Sequence, residues 1–159
     1  MKLAEALLLR SDTQKKIMSL RERIAANAMV QEGDSPHEEP ESLINEASNA
    51  TEQLAKIIAS INYTNLNNTL EDGRTLTDAI ADRDALQQKH AIFASAIDGT
   101  KREANRYSGR EIKWVSALNV ESLHKRSDDV SKQLRELNAK IQEANWRIEL
   151  DESRGVGRV

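Results

Sequence analysis

The stretch NYTNLNNTLEDGRTLTDAIADRD, residues 62 to 84, concentrates the side chains of this chain that could do chemistry. Asn62 and Asn65 carry amides that both donate and accept, Arg74 and Arg83 carry planar cationic forks, and Asp82 adds a carboxylate. Brought together in one corner, these five groups would suit a polar ligand. An all-helical nucleotide hydrolase would also want acids one turn apart to hold magnesium, and Asp78 and Asp82 with Glu71 offer that spacing. Set against both readings is a plain one, in which Asx and Thr side chains cap two helices and Asp78 and Asp82 are first-turn acids facing solvent.

Stricter motifs fail in the same stretch. With Gly73 aligned to the sixth position of a calcium loop, Leu70 falls on a ligand position and Ala79 where a bidentate acid belongs. Neither GxxxxGK[ST] nor GxGxxG occurs anywhere. His37, His90 and His124 are scattered, and Glu121-Ser-Leu-His124 is a single Glu-x-x-His where a di-iron bundle needs two. No catalytic residue, metal ligand or cofactor-binding residue is therefore assigned, and no cofactor is expected. The sequons at Asn49, Asn62 and Asn67 count only in a secretory pathway, to which nothing here points.

Long helices must position these groups. Leu3, Leu7, Arg10, Gln14, Ile17, Leu20, Ile24 and Ala28 recur at steps of three and four and predict a first helix from about Lys2 to Val30. Gly33, Pro36 and Pro40 break the pattern, and Pro40 suits a helix start. Leu43, Ala47, Ala50, Leu54, Ile57 and Ile61 form an unbroken heptad seam for a second helix over about Glu41 to Asn62. A third begins near Thr75 with the seam Leu76, Ala79, Arg83, Leu86, His90, Phe93 and Ile97. The fourth, N-capped by Asn119, has the cleanest seam: Val120, Leu123, Ser127, Val130, Leu134, Leu137, Ile141, Ala144 and Ile148. Trp146, beside that seam, is expected to plug its end. Short β segments are expected near 67–76, as a hairpin turning at Gly73, and near 111–118, where β-branched and aromatic residues alternate.

The fold class that follows is mainly α, a long-helix antiparallel four-helix bundle or paired helical hairpins. One helical domain spans 1–150, with a disordered tail at 151–159. The seams are often only two residues in seven, narrower than the three that a self-sufficient bundle uses. Self-association as a homo-oligomer, dimer or higher, is expected to cover the rest. Arg10 and Arg83 sit on seams and could meet acids there as a polar layer that fixes register, or send their stems out to water.

Composition bounds the partners. Aromatics are 3% of 159 residues, so cores of Leu, Ile and Ala are implied. A net charge of −3 gives no basic footprint for specific nucleic-acid binding, although Lys101 to Lys113 holds five bases against Glu103 and Glu111. Six acids and no Lys or Arg lie between Glu32 and Glu46. These two charged connections could attract each other or meet counterparts in a second subunit. There is no cysteine and no apolar run of the ~18 residues a membrane span needs, so a soluble cytoplasmic protein without a membrane partner is expected.

The blocks KLAEALLLRSD, VQEGDSP, DGRTLTDAIADRDAL, REIKWVSALNV and IQEANW, in that order, resemble a family of small bacterial proteins often called septicolysin. The resemblance runs from Met1 to about Leu150. It implies a mostly helical, uncharacterised protein and carries no catalytic or binding residue. The thiol-activated cytolysin that the family name suggests has no support here, because thiols, long pore strands and a membrane segment are all missing.

Overall fold

A computed structural model describes residues 1–101 and 114–153. It contains four helices, α1 (Leu3–Asn27), α2 (Pro40–Asn67), α3 (Leu76–Gly99) and α4 (Val120–Arg147). The fold is mainly α, as the periodicities predict, and its helices pack in pairs. Contacts divide the chain into two compact units, Met1–Leu76 with Gln142–Val159, and Thr77–Ile141.

In the first unit α1 runs antiparallel to α2. Arg23 pairs with Glu38 and Lys16 with Glu46, so residue numbers fall along α1 as they rise toward and along α2. Leu3, Ala6 and Leu20 of α1 and Leu43, Ala50 and Ile61 of α2 are buried in this unit. Fully burying a side chain of this size is worth about 1.5–3 kcal/mol, so these few positions dominate the pairing. Of the six acids at 32–46, Glu38 and Glu46 thus find counterparts on α1. The bases at 102–113, their other suggested partners, lie outside the described residues.

The N-terminus is sewn to the chain that follows α4. Leu3 N–H donates to the Ile148 carbonyl at 2.9 Å and Leu150 N–H to the Met1 carbonyl at 2.9 Å, around an antiparallel bridge between Lys2 and Glu149. Asp151 N–H then donates to the Thr64 hydroxyl at 2.9 Å, and that hydroxyl donates to the Ser60 carbonyl at 2.8 Å. Thr64 is wholly buried. Thr64→Val keeps the shape and removes the acceptor of the Asp151 amide, which is expected to cost about 1–3 kcal/mol in urea unfolding. Of the segment expected to be a disordered tail, 151–153 is described with these contacts and 154–159 lies outside the described residues.

The second unit is a hairpin of α3 and α4. Phe93 and Ile97 of α3 are buried with Leu123 and Val130 of α4, and Leu86 and Ala96 pack against them. The Arg126 guanidinium lies 4.6 Å from the centre of the Phe93 ring, a cation–π contact at the hairpin's edge. Asn119 caps α4 as its side-chain type predicts, accepting from Ser122 N–H at 2.9 Å.

Three expectations need correction. α2 does not stop at Asn62 but continues to Asn67. The asparagines and threonine that read as loop formers turn their polar atoms inward along the helix instead: Thr64, Asn67 and Asn68 donate to the carbonyls of Ser60, Tyr63 and Thr64. Satisfying their hydrogen bonds on the preceding turn removes their reason to break the helix. Second, residues 114–118 form no strand and no bridge, while 111–113 lie outside the described residues. Alternation alone does not make a strand without a neighbouring ladder, and Trp114 and Val115 are 74% and 75% exposed. Third, Trp146 plugs nothing and is 56% exposed; Ala144 and Asn145 are the buried residues there. The hairpin at 67–76 does form, as the single bridge Thr69–Thr75 with Gly73 at φ 84°, a left-handed conformation that glycine adopts without strain.

Candidate functional site

The five residues of the 62–84 stretch fall into different units. Asn62 and Asn65 lie on the last turns of α2 and Arg74 in the hairpin, all in the first unit. Asp82 and Arg83 lie on α3 in the second. Arg74 is engaged within its own turn, its backbone N–H and its guanidinium both donating to Asp72 at 3.2 and 2.7 Å. Arg83, on the α3 seam, forks its Nε and Nη onto the carboxylate of its neighbour Asp84 at 2.9 and 2.7 Å. Local pairing of this kind lets a seam arginine keep its stem against the core and its head at the surface. Arg10 behaves differently: its Nε is buried without a hydrogen-bond partner among the described residues. His90 is half-buried on the α3 seam, and His37 and His124 are exposed. No group of three or more metal-ligating side chains occurs among the described residues.

The charged groups that do meet are structural. The Arg23 Nε donates to Glu38 at 2.8 Å and its Nη2 donates to the other carboxylate oxygen, a two-pronged bond that anchors the 28–39 connection to α1. Asn27 completes the anchor, donating to the Arg23 carbonyl and accepting from Glu38 N–H. The hydrogen bond from Arg23, ahead of its charge, holds the Glu38 carboxyl below its ordinary range; bonds from Lys16 and from Lys2 do the same for Glu46 and Glu149. A carboxyl with a depressed folded pKa contributes stability above its unfolded value and loses it as pH falls through the folded one. Melting temperature should therefore hold from neutrality to roughly pH 4 and decline below it. All three pairs are solvent-exposed, so about 0.5 M salt should flatten part of that decline.

A cavity of about 240 Å³ opens beside the sewn terminus, within the first unit. Ala6 and Leu9 of α1, Ile57 of α2 and Leu150 give it apolar walls. Lys56 and Glu152 bring opposite charges to it, and neither forms an ion pair with another described residue. Ser60 also lines it and is 4% exposed. Ser48, Thr51 and Thr64 on the same helix all turn their hydroxyls back to a carbonyl four residues earlier. The Ser60 hydroxyl does not, and it has no hydrogen bond to another described residue. No sequence signal marked this place. Lys56 and Glu152 lie far apart in the chain, and only the fold of the terminus onto α2 brings them to one cavity. A second, more polar hollow of about 470 Å³ lies in the 26–37 connection, bordered by Asn27, Gln31, Asp34 and His37.

Comparison with known proteins places this arrangement among relatives whose roles are also open. The sequence profile described as a family of unknown function, DUF6847, matches residues 10–150. A crystal structure described as that of a functionally unknown conserved protein from Corynebacterium diphtheriae is similar at 35% identity and a TM-score of 0.89, over 95% of this chain and 99% of that one. Among curated proteins, none matches.

Proposed function

The chain belongs to the DUF6847 family of unknown function, and from that premise we propose that it is a non-enzymatic helical module that associates with copies of itself and serves as a scaffold in the cytoplasm. The observation that carries this reading is a second, uncharged row on α3. Ala81, Ala85, Gln88, Ile92 and Ser95 follow one another at steps of four, three, four and three, and all are exposed. At 100° per residue this row lies opposite the seam formed by Ala79, Arg83, Leu86, His90, Phe93 and Ile97. In a chain whose residues are 31% charged, an uncharged row on the outer side of a helix is the kind of surface a second helix covers.

The charges beside the row support an antiparallel partner. Asp82 and Lys89 are seven residues apart and share one flank of α3. A second copy lying antiparallel, with Ile92 over Ala81 of the other chain, brings Asp82 near Lys89 of the other chain at two symmetry-related places. This favours one orientation over the other. A single helix face contributes less than the roughly 800 Å² per partner of a standard interface, so a reversible dimer is expected rather than an obligate one. Neither the matching family model nor the similar crystal structure is described as a septicolysin, and no cytolytic activity enters this reading. No described helix is long and apolar enough to cross a membrane. Sedimentation equilibrium over a concentration series tests the proposal. The expected result is a mass rising from 17.8 kDa toward twice that value, and a monomer at every concentration overturns it.

A further inference from the structure

We propose that the cavity beside the sewn terminus binds a free α-amino acid with an apolar side chain. The premise is chemical. One end of such a ligand is a carboxylate, the other an ammonium one carbon away, and the remainder is grease. Lys56 and Glu152, which carry opposite charges, line the cavity beside the apolar walls of Leu9, Ile57 and Leu150. A ligand with only one charge would meet attraction from one of the two ionised side chains and repulsion from the other. A zwitterion satisfies both at once.

The Ser60 hydroxyl is the second reason. A helical serine that is 4% exposed ordinarily finds its hydrogen bond on the preceding turn, as its neighbours do. The Ser60 hydroxyl has no hydrogen bond to another described residue and still reaches the cavity, so a polar ligand atom can take the place of water on it. Its place at the cavity lets it donate to the ligand carboxylate alongside Lys56.

Size supports an amino acid over anything larger. At about 240 Å³ the cavity lies below the roughly 300–1,000 Å³ of sites for drug-sized molecules. The site is also pre-organised on its third side. Leu150 and Glu152 flank Asp151, and both the Leu150 and Asp151 amides are held by the bonds to Met1 and Thr64. Glu152 is thus tethered to α2 through its immediate neighbour, which lowers the ordering cost of binding.

The test is a titration of the full chain, followed by amide chemical shifts, with three probes of one shape: L-leucine, 4-methylpentanoate, which lacks the ammonium, and isoamylamine, which lacks the carboxylate. L-leucine has about nine non-hydrogen atoms and is expected to saturate with a Kd on the order of 1 mM. Each singly charged analogue should bind at least tenfold more weakly. Lys56 and Glu152 are exposed, so Lys56→Met and Glu152→Gln should melt as the parent does while each weakens L-leucine at least tenfold. Three outcomes overturn the proposal: no saturable shift with L-leucine at tens of millimolar, equal binding of all three probes, or unchanged affinity in both variants.

Discussion

Ile61→Ala is expected to lower the free energy of unfolding by about 2–5 kcal/mol, whereas the same kind of truncation at Ile92 should change it by less than about 0.5 kcal/mol. Both isoleucines sit within long helices, and helix propensity would rank the two changes alike. Their surroundings differ. Ile61 is 1% exposed, close to Thr64 on α2 and buried in the first unit. Removing its methyl and methylene groups forfeits their burial and leaves a hollow that the interlocked α1 and α2 can only partly close. Ile92 is 65% exposed, so its truncation in the monomer uncovers little that water did not already touch. Urea unfolding of the two variants at low protein concentration, where association does not contribute, gives the comparison directly. Equal losses would mean that the α2 seam does not carry the first unit.

The second large effect concerns Ile92 again, now in association. Ile92→Glu places a carboxylate within the uncharged row, opposite Ala81 of a second copy in the proposed pairing. Burying an unpaired charge costs several kcal/mol, and in a two-fold dimer the cost is incurred twice. The dimer dissociation constant should rise by at least a hundredfold, while the monomer keeps its helical circular dichroism because the residue faces water there. Ala85→Leu, by contrast, adds apolar surface to the same row without charge and should not abolish association unless the helices must approach closely at that point. If Ile92→Glu sediments as the parent does, α3 is not the face through which copies meet.

The long helices were legible because burial imposes a period on the sequence. Every position of the α2 seam, from Leu43 to Ile61, is buried or half-buried, and so is every position of the α4 seam from Val120 to Ile148. Asn119 could be assigned as a cap because the preference is local and strong, and the Gly73 hairpin because its turn demands a positive φ. The α1 seam was less faithful. Gln14 and Ala28 are exposed, and the buried Ala4 and Ala6 sit close to Leu3, where the terminus is sewn in.

Two inferences failed because each depended on what surrounds the residues. Asparagine and threonine after Asn62 read as loop because their side chains compete with the backbone, yet the same chemistry satisfied along α2 extends the helix to Asn67. The alternation at 114–118 implied a strand, but a strand exists only where another chain segment completes its ladder. Lys56 and Glu152 are 96 residues apart and border one cavity. Amphipathic periodicity and caps are set by interactions within a few residues, so sequence alone determines the helices and which of their faces turn inward. Which side chains converge from distant segments depends on how the terminus and helices close on each other, and that was decided only by the tertiary structure.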